Sequence, residues 1–350
     1  MQRAGLSRLA TNPVDWYRLG GGVCMPIAIG ADDPVYAPFG VQCHEFKRSI
    51  AGLRPGCTLG PRTQVNMVTS YVDASFVYGP TRSRSGSLRA RRGGLLDTWD
   101  YFGRQNLKPL LPPQLESPNE ECVGRRSGLY CFRSGDSRTN QQVQLVVLHT
   151  LHTRQHNRLA QQLALINPHW PGARVFEEAR HIHIALVQHI LMNEYLPILL
   201  GKSQCKKYNL IEADALAAGS GLGPHSDHYE PNLNAGIWHS FAAAAFRQGH
   251  SSVASEVHRI NVLSRQPVRV YALRQLFRQP WPLFEAGAVD EFILGMTEMG
   301  SQNVDPFVSA ELSGHLFQEP NEPIGLDLIA MNVQRGKNGG KSRVVCASQH

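Results

Sequence analysis

His250 is the residue whose type and surroundings most directly suggest chemistry. It ends the alanine-rich run that begins at Trp238, and this run predicts a helix with an imidazole at its carboxyl end. The partial negative charge of that helix end makes the imidazole a stronger donor to a metal. Gly249 lets a flat macrocycle approach the backbone. A histidine at a helix end beside a glycine is one way to hold a haem iron, but on this pattern alone a structural histidine is the more common case. Arg247, on the same helical face, is placed to meet a haem propionate.

The elements that must position His250 are predicted to be mostly helices. Apolar residues recur at helical spacing from Val143 until Asn167 and Pro168 stop the helix, and a second stripe from Phe176 to Ile190 is closed by Pro197. The third helix covers about 235–249. Shorter helical pieces are predicted at Arg274–Phe277, Val289–Met299, Ser309–Phe317 and Ile324–Asn332. Strand signals are short and scattered, so the expected fold is mainly α with little β structure.

Length and composition predict one domain over residues 1–336, followed by a polar, basic and disordered tail over 337–350. No apolar run reaches the roughly 18 residues of a membrane span, and Met1–Ala10 lacks the apolar core of a signal peptide.

The net charge of +7 is spread along the chain, and its densest cluster leaves two interpretations open. The cluster is either a polyanion patch or a solvated loop after the Tyr78-Gly79 turn. No nucleic-acid motif accompanies it, so we expect no nucleic-acid partner. Its members are Arg82, Arg84, Arg89, Arg91 and Arg92.

Several separated segments, in this order along the chain, resemble the animal haem peroxidase family, in particular its peroxidasin-like and myeloperoxidase-like members. The resemblance covers roughly residues 13 to 336 and implies a partial copy of that family's helical domain, truncated at both ends. The segments are Thr69–Gly79, Cys131–Arg138, Leu148–Ala160, the run ending at His250, and Ile324–Gly336.

The resemblance implies a role for each matching residue. His250 corresponds to the proximal haem ligand, Arg247 to a propionate-binding arginine and Arg138 to the distal arginine beside peroxide. The alternative for Arg138 is a loop arginine paired with Asp136. Gln141 stands where the family often has a glutamate esterified to the haem, so a haem b without that link is expected.

The resemblance also implies a calcium site at four residues with alternating oxygens: Thr69, Tyr71, Asp73 and Ser75. The alternative is a plain extended segment in which Asp73 serves a turn or forms a salt bridge. The family's distal histidine segment finds no match in this sequence. The family's asparagine beside the proximal histidine is expected after Gly336, where the match ends, and is therefore expected to be lost.

The cysteines favour a secreted protein. The turn-rich stretch between Cys122 and Cys131 lets them meet, and Cys24 and Cys43 bracket a Pro-rich stretch; both pairs match cysteines that the family bonds. Three further cysteines are left without an assigned partner: Cys57, Cys205 and Cys346.

Two groups of histidines lie at helical spacing and allow either a metal-binding face or ordinary packing and hydrogen bonding. The resemblance favours packing roles for both groups: His149, His152 and His156, and then His181, His183 and His189.

Three functions remain open from the sequence. The chain is a peroxidase that oxidises small donors with hydrogen peroxide, a haem-binding but catalytically impaired secreted or matrix module, or a fragment that holds no haem. The missing distal histidine favours the last two, and the resemblance favours the first.

Overall fold

The computed structural model describes residues 24–58, 60–115, 122–124, 128–211 and 229–338. Helices dominate these ranges, and the strands form three two-stranded antiparallel pairs. The predicted mainly α fold with little β structure is confirmed. We find no helix in these ranges that could span a bilayer.

The strands pair as β1 with β2, β3 with β4 and β5 with β6. Their bounds are β1 (Ile27–Ala28), β2 (Cys43–His44), β3 (Ala51–Gly52), β4 (Thr63–Gln64), β5 (Glu256–Ile260) and β6 (Pro267–Ala272). The α-helices are α1 (Ser75–Tyr78), α2 (Arg82–Leu88), α3 (Val143–Ile166), α4 (Gly172–His189), α5 (Leu196–Leu200), α6 (Lys202–Lys207), α7 (His239–Ala243), α8 (Ala288–Glu298), α9 (Ala310–Ser313) and α10 (Leu328–Asn338).

Of the two predicted disulfides, the structure forms one. Cys122 and Cys131 are bonded to each other. Cys43 lies opposite Ala28 in the β1–β2 ladder, and Cys24 lies opposite Lys47. The two cysteines are therefore four residues apart along the ladder, about 13 Å at 3.3 Å per residue, whereas a disulfide needs Cα atoms within about 7 Å. The predicted Cys24–Cys43 bond is wrong.

The arginine cluster after Gly79 is partly helical, because it includes α2. Arg84 donates through Nε to the carbonyl oxygen of Ser134 at 2.9 Å, and the guanidinium of Arg89 lies 3.9 Å from the centre of the Phe176 ring. The cluster therefore holds neighbouring segments together at these two residues, while Arg82, Arg91 and Arg92 are exposed.

α3 and α4 pack against each other and are joined by the short connection 167–171. α3 starts at a capped end, where the side chain of Gln142 accepts a hydrogen bond from the backbone N–H of Gln144 at 2.7 Å. It ends before Asn167, since Pro168 cannot continue the helix. The predicted helix from Val143 to Asn167 is confirmed.

A buried hydrogen-bond chain links α1, α3 and α4. The hydroxyl of Tyr78 lies 2.9 Å from Nδ1 of His156 and 2.8 Å from Nδ1 of His183. Nε2 of His156 lies 3.1 Å from the carbonyl oxygen of Gly94, and Nε2 of His183 lies 2.9 Å from Nδ1 of His152. Tyr78, His156 and His183 are fully buried, so each polar atom needs the partner it has.

The second predicted helix does not end at Pro197. α4 passes through a π-helical segment, Ile190–Tyr195, into α5, which holds Pro197 in its first turn. Proline is tolerated there because a first-turn N–H has no partner within the helix. Gly201, with φ of +79°, ends α5 instead.

The third predicted helix is also broken. α7 covers only His239–Ala243, and a 3-10 helix, Ala245–His250, follows it. The break lies at Ala244, whose φ of −136° and ψ of −67° depart from helical values. His250 still ends a helical segment, as the sequence predicts.

The carboxyl-terminal helices differ from prediction mainly at their ends. α8 agrees with the predicted Val289–Met299 to within one residue at each end. The piece at Arg274–Phe277 is a 3-10 turn, Leu273–Gln275, and the piece at Ser309–Phe317 shortens to α9.

The last predicted helix, Ile324–Asn332, is shifted to α10. It starts later because the carboxylate of Asp327 accepts from the backbone N–H groups of Ile329 and Ala330 at 2.7 and 2.9 Å. α10 includes Lys337 and Asn338 of the predicted tail, and the remainder, 339–350, lies outside the described residues.

The largest hydrophobic cluster joins the start of α3 to the carboxyl-terminal elements. It packs Val147 of α3 with Phe292 of α8, Val257 of β5 and Leu312 of α9. α8 crosses β5 at Gly295, where a Cβ atom would lie 1.9 Å from the carbonyl oxygen of His258. The elements around the start of α3 are therefore held in close contact.

The buried imidazoles predict acid-sensitive stability. Burial lowers the pKa of both His156 and His183 from 6.5 to about 4. Between these values the unfolded chain binds more protons, so the free energy of unfolding decreases as the pH falls from 6.5 towards 4, by roughly 1.4 kcal/mol per pH unit for each histidine. Urea unfolding at pH 7, 6 and 5 measures this slope. A free energy of unfolding that stays constant or rises over this range contradicts the assignment.

Candidate functional site

His250 opens on a cavity of about 460 Å³ with a mainly apolar wall. The wall is built by Leu145 of α3, Val257 of β5, Met296 of α8 and Met331 of α10. Burial, and then the neighbouring charge of Arg247, lower the pKa of His250. The imidazole is therefore neutral near pH 7, which is the form that binds a metal.

Arg138 opens on a second cavity, of about 450 Å³. Phe76, His149 and His152 also line it. Gln141 and Leu145 line both cavities, so the two spaces meet at the start of α3.

The turn that carries Arg138 is fixed against α1. The backbone N–H of Asp136 donates to the carbonyl oxygen of Phe76 at 3.2 Å, and the Ser134 hydroxyl donates to the same oxygen at 3.1 Å. A Cβ atom on Gly135 would lie 2.3 Å from the carbonyl oxygen of Ser75. Only glycine permits this approach.

Arg138 is paired with Asp136, the alternative left open by the sequence. Its Nε and Nη2 donate to the two carboxylate oxygens at 2.9 and 2.7 Å. Hydrogen bonding to Arg138 lowers the pKa of Asp136 against the effect of burial, and the same hydrogen bond raises the pKa of Arg138. The pair is thus ionised, and Nη1 of Arg138 makes no hydrogen bond to another described residue.

Asn332 of α10 holds His250. Its side-chain Nδ2 lies 2.8 Å from Nδ1 of His250, and its Oδ1 accepts from Nη1 of Arg247 at 2.9 Å. The expected loss of the asparagine beside His250 is therefore wrong. The residue was sought after Gly336, but it lies earlier, inside the matching segment.

The position of Arg247 decides the tautomer of His250. Arginine can only donate, so Asn332 must turn its oxygen to Arg247 and its NH₂ group to His250. Nδ1 of His250 then accepts, and Nε2 carries the proton. Binding a metal through Nε2 requires the reverse: Nδ1–H donating to Oδ1 of Asn332. Arg247 and the metal-binding form of His250 compete for one oxygen atom.

The four residues of the predicted calcium segment lie in one stretch ending at α1. The hydroxyl of Thr69 accepts from the backbone N–H of Tyr71 at 3.0 Å, and the carboxylate of Asp73 accepts from that of Ser75 at 2.9 Å. These are local turn contacts. In the ranges that the structure describes, no group of three or more His, Cys, Asp or Glu side chains is arranged to hold a metal ion.

The histidines of α3 and α4 have structural contacts that sequence spacing did not predict. His152 and His183 are 31 residues apart in sequence and make a direct hydrogen bond. His149 donates through Nδ1 to the carbonyl oxygen of Leu145 at 2.7 Å. His189 lies 3.2 Å from the side-chain nitrogen of Asn193. Sequence spacing predicted which histidines share a helix face, but not that these faces of α3 and α4 contact each other.

Comparison with known proteins identifies the family. The chain matches the animal haem peroxidase family over residues 19–343, and it belongs to that family.

Relatives support the assignment. The chain is 39% identical over 317 residues to a chorion peroxidase of Drosophila melanogaster, covering 91% of this chain and 37% of that protein. It is 34% identical over 331 residues to a human peroxidasin homologue, covering 91% of this chain and 21% of that one. The chain therefore spans well under half the length of these relatives.

Solved structures agree on the fold. Peroxidase A from Dictyostelium discoideum superposes with a TM-score of 0.73 at 25% identity, covering 91% of this chain and 59% of that one. A fatty acid alpha-dioxygenase from Oryza sativa gives 0.65 at 15% identity, covering 90% and 52% of the two chains, and shows a shared fold.

Gly135→Ala tests the close approach that places Arg138. We expect the added Cβ to push the turn away from α1 and to lower the free energy of unfolding by about 1–3 kcal/mol. The measurement is urea unfolding beside Gly86→Ala, a matched control inside α2 whose Cβ meets nothing within 4 Å. Equal stability of the two variants contradicts the packing.

Proposed function

We propose that this chain holds a haem b through His250 and acts in hydrogen-peroxide-dependent oxidation of small donors. One observation carries the proposal. His250 and Arg138 open on two cavities that meet at Gln141 and Leu145. This arrangement suits a flat group with a ligand on one face and a reaction space on the other.

The residues present fit a haem. The wall of the His250 cavity is mainly apolar, as a porphyrin requires, and its imidazole is neutral near pH 7. Gln141 lies at the boundary and carries an amide, which cannot form the ester that a carboxylate forms. The haem is therefore held by coordination and contacts without that covalent bond.

In this proposal a haem propionate replaces Asn332 as the hydrogen-bond partner of Arg247. A carboxylate that takes over the guanidinium frees Oδ1 of Asn332, which then accepts from Nδ1–H of His250. That leaves the lone pair of Nε2 for the iron. Propionate capture and the correct tautomer of His250 are thus coupled through one amide.

When bound, the haem supplies the iron at which peroxide is reduced and the oxidising equivalents that donors consume. Arg138 offers the N–H groups of Nη1 to the second cavity and stabilises negative charge on a peroxide oxygen there. Its pairing with Asp136 holds the guanidinium plane in a fixed orientation.

A haem-binding protein with impaired catalysis is the second candidate, and the state of Arg138 favours it. Its side chain is 65% exposed and bonded to Asp136, so it points only in part to the cavity. In this case haemin binds through His250, but peroxide turnover stays at the level of free haemin.

Three further features belong to the proposal. Secretion is supported by the Cys122–Cys131 disulfide, which persists in oxidising compartments. A calcium ion at Thr69, Tyr71, Asp73 and Ser75 is supported by their position in one short stretch that ends at α1. Binding the ion requires Thr69 and Asp73 to release their hydrogen bonds to the backbone. Hydrogen peroxide and small donors are the proposed partners.

A haemin titration of the 350-residue chain tests the ligand. We expect a stoichiometric shift of the Soret band that His250→Ala abolishes, because the iron loses its nitrogen donor. His239→Ala is the matched control, an exposed histidine in the same segment, and should leave the shift unchanged. An unaltered Soret shift in His250→Ala rules out this ligand.

Asn332→Leu tests the support of His250. Removing the amide leaves Nδ1 without its acceptor, so we expect haemin affinity to fall 10- to 100-fold. Asn303→Leu, at an exposed position, serves as the control. The assigned role of Asn332 is refuted if both variants bind haemin as tightly as the parent chain.

A further inference from the structure

The turn that follows α2 carries the arginines of the cluster that the fold does not use to join neighbouring segments. Arg91, Arg92 and Gly93 are exposed at the tip of this turn. The backbone N–H of Ala90 donates to the carbonyl oxygen of Leu95 at 2.9 Å and closes the turn. Exposed loop tips of this kind are the preferred places for a protease to cut a folded chain.

The residues of the turn form a distinct basic motif. Positions 89–92 read Arg-Ala-Arg-Arg, and no other two arginines in the 350-residue sequence are three positions apart. In an extended chain the side chains alternate, so Arg89 and Arg91 lie on one face and Arg92 on the other. Carboxylates bind guanidinium groups strongly and with defined geometry. A protease groove with acidic side chains on both faces therefore recognises all three arginines at once.

We propose that the Arg92–Gly93 peptide bond is a proteolytic processing site, cut by an endoprotease whose acidic substrate groove binds Arg89, Arg91 and Arg92. Water adds across this bond: the C–N bond breaks, Arg92 gains a carboxylate and Gly93 gains an ammonium group. No oxidation state changes, and no cofactor is required. The product is a protein of two chains, 1–92 and 93–350, held together by its folded contacts.

The motif can become extended without unfolding the core. Gly93 has φ of +72°, and glycine moves from this region to extended backbone at little cost. Arg89 must leave the ring of Phe176 and the carboxylate of Glu177, which lies 3.7 Å from its Nη1. Both members of this ion pair are partly exposed, and such pairs contribute little to stability. The turn therefore opens locally, and the cleavage rate follows the opened fraction.

The two pieces of the cut protein remain joined by buried contacts. The Tyr78 hydroxyl of the first piece is hydrogen-bonded to His156 of the second, and Gln334 of the second piece donates to the carbonyl oxygen of Met25 at 2.7 Å. The Cys122–Cys131 disulfide lies wholly in the second piece, and no disulfide joins the two pieces among the described residues. Packing and hydrogen bonding alone hold the pieces together.

Other basic pairs suit the same groove less well. The sequence has three further pairs of adjacent lysines or arginines, and glutamate, valine or glutamine stands in each where Arg89 stands in the motif: Lys47-Arg48, Arg125-Arg126 and Lys206-Lys207. Lys47 is also paired with Glu45 at 3.1 Å. We therefore expect the first cut after Arg92.

The test needs no haem, so its outcome is independent of the proposed function. The folded 350-residue chain is incubated with a subtilisin-like serine protease specific for Arg-X-Arg-Arg, beside a synthetic peptide of residues 86–97. Intact mass and amino-terminal sequencing should show one new amino terminus, at Gly93. The pieces should elute together from a sizing column and separate on a denaturing gel without reductant.

Three results overturn the proposal. The first is a peptide that is cut while the folded chain stays intact, because the fold then hides the bond. The second is a first cut at any other bond. The third is separation of the two pieces on the sizing column, which contradicts the two-chain product.

Arginine variants test the recognition. Arg92→Ala should abolish the cut, and Arg91→Ala should lower kcat/KM by roughly 10- to 100-fold, the contribution of a hydrogen bond to a charged group. Arg82→Ala is the matched control, an exposed arginine of the same cluster outside the motif, and should be cut at the parent rate. Equal rates for Arg91→Ala and Arg82→Ala, or a cut after position 92 in Arg92→Ala, overturn the assigned recognition.

Discussion

The buried hydroxyl of Tyr78 is the constraint on which the arrangement of this protein depends. It lies in a fully buried position where an unsatisfied polar group costs about 1–3 kcal/mol. Its two partners come from different helices, His156 on α3 and His183 on α4. Satisfying one hydroxyl therefore fixes α1 against both long helices. The same burial that stabilises these hydrogen bonds keeps the imidazoles of His156 and His183 neutral.

The start of α3 converts this packing into a site. The turn carrying Arg138 is hydrogen-bonded to α1, and Gln141 lies one residue before the cap of α3. The positions of Arg138 and Gln141 therefore depend on the packing of α1 and α3 around Tyr78. His250 and Asn332 come from later parts of the chain and reach the same place through the apolar cluster of α3, α8 and α9. The site is thus formed where two separately stabilised parts of the molecule meet.

The sequence predicted what depends on local pattern. Helix α3 and the Cys122–Cys131 bond followed from helical periodicity and from a short, turn-rich spacing. It failed where distant contacts decide: the hydrogen bond of Asn332 with His250, and that of His152 with His183. The ends of two helices were also mispredicted. Alanine is not a helix-breaking residue, so the break at Ala244 could not be anticipated, and the π-helical turn before Pro197 has no recognisable sequence pattern. The Cys24–Cys43 error came from strand register, which composition does not encode.

The binding of haem between His250 and Arg138 can be examined in a crystal structure of the haemin-loaded chain. We expect haem across the boundary at Gln141 and Leu145, with Nε2 of His250 on the iron and Arg138 on the opposite face. Arg247 should have left Asn332 for a propionate, and Nδ1 of His250 should donate to Oδ1 of Asn332. Iron bound to another histidine, or haem lying outside the two cavities, rules out His250 as the ligand in this arrangement.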